Sequence, residues 1–185
     1  MAASSVTLGP ENGTITVRTY REGMAKRAGH DLALEAKSWN ATAAVDRDNP
    51  GSSTVQATID LRSLEIREAT GGVKPLSDGD RKDIAKNMNK TLKVDDHPQV
   101  TFQSHSVDAD SGKHVRLNGS LTLAGTTRPV TLDLAVEPQN GHDRLTGSVT
   151  VTHSDFGVKP YQGLMGTLKI KDAVEIELDV RVPRA

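Results

Sequence analysis

The stretch Leu117–Val136, LNGSLTLAGTTRPVTLDLAV, decides the fold. Its two arms alternate apolar and polar residues: Leu121 and Leu123 before a break at Ala124–Pro129, then Val130, Leu132, Leu134 and Val136 after it. Ser120, Thr122, Thr131, Asp133 and Ala135 occupy the other face. A period of two is the signature of a half-buried strand, so the stretch predicts a hairpin with one dry side. What that side covers, a packed core or a space for a ligand, is the functional question.

The same period recurs along the chain. Ile15 and Val17 in TITVRTY form one stripe, and Leu32, Leu34 and Ala36 form another. Trp39, Ala41, Ala43 and Val45 continue in the opposite phase, which requires an extra residue or a break at Lys37-Ser38. Val55, Ala57, Ile59 and Leu61 follow, then Val100 and Phe102, the Val115–Leu123 arm, and Leu145 to Val151. The last stripe, Val174, Ile176, Leu178, Val180 and Val182, backs onto Glu175, Glu177, Asp179 and Arg181. Turn-forming clusters at Pro10–Gly13, Asp46–Ser53, Asp108–Gly112 and Pro138–Asp143 separate the runs. The expected fold is all-β: one domain over residues 1–185, an antiparallel meander of about eight strands. Closure into a barrel would remove exposed edges, and an open two-sheet sandwich is the alternative.

Two segments break the pattern. Ser77-Asp78-Gly79-Asp80 leads into DRKDIAKNMNKTL, a predicted helix capped by Ser77 or Asp78. Ile84, Met88 and Leu92 recur every four residues, a narrow stripe suited to a helix lying across an opening. REGMAKRAGH, Arg21–His30, has room for one helical turn ended by Gly29.

Composition narrows the function. The 185 residues are 35% apolar but only 3% aromatic, so rings do little of the filling. A net charge of −1 gives no overall attraction to nucleic acid or to an anionic membrane; local patches have room to form, but no dense Lys/Arg run occurs, and few aromatics remain for base stacking. Without cysteine there is no disulfide, thiolate ligand or thiol nucleophile. The amino end, MAASSVTLGPENGTITV, lacks a cationic head followed by an apolar core, and no run is long enough to span a bilayer. A cytoplasmic, non-membrane-spanning protein is the expectation.

Six histidines invite catalytic and metal readings. His30-Asp31 opens a strand and could form an acid–base pair; the plainer reading is a histidine hydrogen-bonded to a turn. Asp95-Asp96-His97-Pro98 offers too few oxygens for calcium and reads as a solvated turn. His105, His114, His142 and His153 have no zinc spacing. There is no GxSxG elbow, and Gly71-Gly72 lacks the Lys-Ser/Thr of a phosphate loop. No cofactor is implied. The stripes themselves remain: medium and small side chains fill a wide barrel poorly, which leaves room for one apolar ligand.

AGHDLALEA, TIDLRSLEI, HPQVTFQS, and NGSLTLAGTTRPVTLDL followed by DFGV occur in that order from about Thr14 to Val182. In these segments the chain resembles the YceI-like family, lipocalin-like proteins associated with polyisoprenoid binding. The resemblance implies an extended antiparallel barrel, a helix near one end, and an apolar channel for a polyisoprenoid or isoprenoid-quinone-like lipid. A homodimer is also within what it implies. Carried onto this sequence, it makes Leu34, Val55, Ile59, Phe102, Leu121, Leu132, Leu134 and Val149 channel-lining candidates, with Met88 and Phe156 closing an end. Arg27, His30 and Asp31 are candidates for the channel mouth. Relatives often carry aromatic residues near the helix end, where this chain reads NKTLKVDDHP. The functional expectation is non-enzymatic sequestration or transport of such a lipid. The alternatives are an enzyme using His30-Asp31 and a filled barrel that engages protein partners.

Overall fold

The structure, a computed structural model, describes residues 4–110 and 112–184. Met1–Ala3 of the amino end, Ser111 of the Asp108–Gly112 cluster, and Ala185 lie outside the described residues.

In chain order the strands are β1 (Ser4–Leu8), β2 (Gly13–Thr19), β3 (Arg21–Glu22), β4 (Asp31–Ala36), β5 (Trp39–Val45), β6 (Thr54–Asp60) and β7 (Leu64–Thr70). Helix α1 (Asp78–Thr91) follows, then β8 (Gln99–Asp110), β9 (His114–Leu123), β10 (Thr126–Gln139) and β11 (His142–Thr152). Two short strands, β12 (Gln162–Gly163) and β13 (Leu168–Ile170), precede β14 (Ala173–Pro183). Eleven strands form one curled antiparallel sheet, ordered β1-β5-β6-β8-β9-β10-β11-β14-β2-β4-β7. A second, three-stranded sheet runs β12-β13-β3. The all-β, lipocalin-like reading holds, with more strands than the stripes suggested. The additions to the main sheet, β1 and β7, are its two edges.

Lys37-Ser38 is a break between strands, one of the two ways the change of phase allows: β4 ends at Ala36 and β5 begins at Trp39. This corner is tied to the turn before β7. Lys37 N–H donates to Ser63 O (3.1 Å), Ser38 N–H to Ser63 Oγ (2.9 Å), and Asp60 N–H to Ser38 O (3.0 Å).

The decisive hairpin is tighter than expected. Its turn is Ala124-Gly125 alone, at φ 50° and 78°, the positive pair that a two-residue hairpin requires. Thr126–Pro129 are strand, paired with Leu123–Ser120. Pro129 is tolerated because pairs alternate from a hydrogen-bonded Thr126–Leu123. That places the missing N–H of Pro129 on the side away from β9, where β10 meets β11 only from Ala135 onward. At the next hairpin Pro138 likewise pairs with Asp143, leaving Asn140-Gly141 as the turn.

α1 begins at Asp78 with Ser77 as its cap, one of the two caps expected. Ser77 Oγ accepts from Asp80 N–H (3.1 Å) while the Asp80 carboxylate accepts from Ser77 N–H (2.9 Å), a reciprocal cap. Leu92 ends the helix, and Leu92 and Val94 are driven into the core. The Arg21–His30 segment holds one 3-10 turn, Lys26–Ala28, stopped by Gly29.

The dry side of β9–β10 packs into the main core. Leu117, Leu121, Leu123 and Leu134 join Val94, Val100, Phe102, Val151, Phe156 and Val158. A second cluster, Leu8, Ile15, Ala36, Trp39, Ala41 and Val180, fills another part of the interior.

Candidate functional site

The interior is not filled throughout. A cavity of about 350 Å³ lies between α1 and the β2–β4 part of the sheet. Its walls come from Val17 and Thr19 on β2, Leu32 and Leu34 on β4, Leu64 on β7 and Val174 on β14. Leu168 and Ile170 on β13 and nearby Tyr161 form one flank. Ile84, Asn87, Met88 and Thr91 present the inner face of α1, with Leu92 beyond it. None of the helical residues is fully buried: Ile84 and Met88 are partly so, and Met88 also packs against the main core. His30, Val73, Lys74, Leu76, Asp80 and Asp83 stand around the same cavity.

Two polar atoms on this wall are buried without a hydrogen-bond partner among the described residues: Thr19 Oγ1 and His153 Nδ1. Burial lowers the His153 pKa against a smaller opposing pull from Asp172, which keeps the imidazole neutral. His153 continues the Val149, Val151 row one step past the end of β11. The sequence reading did not single it out for the cavity, although that extended alternation was the available signal. Thr19, Tyr161 and Leu168 carried no comparable sign.

Of the expected site residues, Leu34, Met88 and His30 meet at this cavity. Phe102, Leu121, Leu134 and Phe156 are buried in the main core, with Val55, Ile59 and Leu132 packed against it. Val149 is half-buried on β11, paired with Ile176. Arg27 is exposed on the 3-10 turn. His30 Nε2–H donates to Lys74 O (2.9 Å), and Asp31 Oδ1 accepts from Arg21 N–H (2.8 Å). The two side chains are thus engaged with different partners, Lys74 in a loop and Arg21 on β3. His30 takes the plainer role of a turn-bonded histidine.

A depression of about 490 Å³ on the sheet's outer face is of another kind. Thr14, Thr16, Arg18, Glu175, Glu177 and Asp179 line it. Arg18 Nε meets Glu177 Oε1 at 2.7 Å, and Arg144 clasps Asp179, raising its own pKa and lowering that of the carboxyl. Its charges are matched internally, so it offers no apolar receptor. Among the described residues, no cluster of three metal-ligating side chains occurs, and no helix is long and apolar enough to cross a membrane.

The model of the YceI-like domain matches residues 7–182. The chain belongs to the YceI-like family. A UPF0312 protein of Pseudomonas aeruginosa is 32% identical over 120 residues, covering 62% of this chain and 56% of that one. Protein YceI of Escherichia coli O157:H7 is 35% identical over 97 residues, covering 52% and 44% respectively. The matched part of the chain therefore spans about half the length of these relatives. Among solved structures, BcnA of Burkholderia cenocepacia superposes with a TM-score of 0.69 at 18% identity, covering 92% of this chain and 96% of that one. A YceI protein of Campylobacter jejuni gives 0.56 at 14% identity, covering 78% and 81%. These likenesses support the YceI-like barrel as the fold.

Proposed function

We propose that this YceI-like protein sequesters or carries a long apolar lipid of the polyisoprenoid or isoprenoid-quinone type, without chemically altering it. The observation that carries the reading is the apolar cavity beneath α1. Burying a lipid tail gains about 0.8 kcal/mol per methylene, so a chain of this kind binds firmly with few polar contacts. The cavity is near the small end of the roughly 300–1,000 Å³ usual for ligand sites. A long chain therefore needs α1 to lift. That motion is compatible with a helix held in the core by Leu92 and Val94 at its C-terminal end. One chain supplies every wall residue, so the reading applies equally to a monomer or a homodimer.

The test is native mass spectrometry after incubation with prenols and prenylquinones of increasing length, followed by solvent extraction. A one-to-one adduct whose extracted lipid has unchanged mass is expected. Failure to load any member of the series overturns the carrier reading, and an altered lipid mass overturns the non-enzymatic one.

A further inference from the structure

Met24, Val73, Leu164 and Met165 are the large apolar side chains left exposed among the described residues. They belong to three loops joined at one end of the molecule. β3 pairs with β13, and Ala25 N–H donates to Thr167 O at 2.9 Å, which brings the Met24 loop against the Leu164–Met165 turn. Gly23 approaches Thr167 O so closely that a Cβ would lie 2.3 Å from it. The His30–Lys74 bond ties the Val73 loop to the same segment, and Val73 also lines the cavity.

Two features make this more than stray exposure. Leu164 and Met165 have φ of 48° and 57°, left-handed backbone that residues with side chains rarely adopt. The strained turn holds two apolar side chains in solvent. In addition, residues 21–31, 71–76 and 159–171 carry seven Lys/Arg and two carboxylates, in a chain whose net charge is −1. One of those carboxylates, Asp31, already faces Arg21. Apolar tips within a cationic rim match an anionic bilayer surface, where the tips enter the acyl boundary and the cations meet phosphates. A two-fold contact with a second copy would instead set like charges against each other.

We infer that this end docks on anionic membranes, with Met24, Leu164 and Met165 inserting and Lys26, Arg27 and Lys74 contacting lipid phosphates. The docking argument stands on these loops alone. Its consequence, that the cavity opens toward the bilayer, rests on the lipid-carrier reading.

The experiment is co-sedimentation with phosphatidylcholine vesicles, with and without phosphatidylglycerol. Binding is expected only with the anionic lipid and falls with added salt. K26E/R27E should weaken it about thirtyfold or more, at about fivefold for each cation lost. M24S/M165S should weaken it even at low salt. Prenol loading measured without vesicles should persist in both variants, so failure of docking and failure of the carrier reading are distinguishable. Equal binding to neutral vesicles, no binding, or indifference to both variants overturns the inference. So does dimerisation in light scattering that M24S/M165S abolishes, which would assign the patch to a second copy. Capture of acidic proteins without vesicle binding would overturn it as well.

Discussion

Two halves of one interior are built from similar stripes and end differently. Under the β9–β10 hairpin, Leu121 and Leu134 meet Phe102, Phe156, Val94 and Val158, and the space closes. Under α1, Leu34, Val17, Leu168 and Ile84 face one another across about 350 Å³. Both of the chain's phenylalanines lie in the closed half. The difference teaches that the open space depends on where the two phenylalanines are spent, with the Tyr161 ring standing only at its flank. Strand pattern alone does not create it.

The most severe break of this comparison is to hollow the closed half. Phe102→Ala removes a buried ring whose neighbours include the Gly119 backbone position, where a Cβ would lie 2.7 Å from the ring. A loss of about 3–5 kcal/mol is expected in urea unfolding. A loss below about 1 kcal/mol would mean that this half is also loosely filled.

Enlarging a side chain there should cost less but still cost. Leu121→Phe pushes extra atoms into a region with no room, so a loss of about 1–3 kcal/mol is expected from chemical denaturation. An unchanged midpoint would remove the distinction between the halves.

The strand stripes were legible because a half-buried strand must alternate, and the Lys37-Ser38 break was legible because the phase cannot change without a break or an extra residue there. The edges were less so. β7 reads LEIREAT, whose Arg67 and Glu68 interrupt the stripe as charges on edge strands do. Turn lengths were overestimated at Thr126–Pro129 and Pro138, since polar residues and proline also suit a strand side without a ladder partner. The cavity itself had no local sign. Leu34 beside space and Leu121 beside a ring look alike in sequence, because the outcome depends on what the curl sets opposite each. Ile84 and Met88 were visible as one apolar stripe because helical period survives without tertiary contacts.

His153 sharpens the comparison through pH. Burial holds its folded pKa below the ordinary value near 6.5, so the unfolded chain takes up the proton first. Stability contributed by the neutral imidazole is fully present above about pH 6.5 and declines as pH falls below it, until the folded imidazole also protonates. Asp143 and Asp179, held low by Arg184 and Arg144, lose their contributions only in the carboxylate range, about pH 4 and below. Thermal unfolding over about one unit on either side of pH 6 should therefore slope in the wild type and flatten in His153→Asn. Equal slopes would place His153 in water.

The smallest stability effect is expected where the largest binding effect should occur. Ile84→Phe adds a ring to the open half, and the volume it enters is free. Its stability should stay within about 1 kcal/mol of the wild type, with a gain the natural sign for a filled cavity. Lipid loading in native mass spectrometry should fall sharply, because the ring and the tail compete for one space. The contrast with Leu121→Phe holds chemistry constant and changes only what lies opposite. If Ile84→Phe instead destabilises as Leu121→Phe does, α1 rests on a packed surface and the cavity is not open to a side chain. If it is neutral and loading persists, the lipid occupies another part of the barrel.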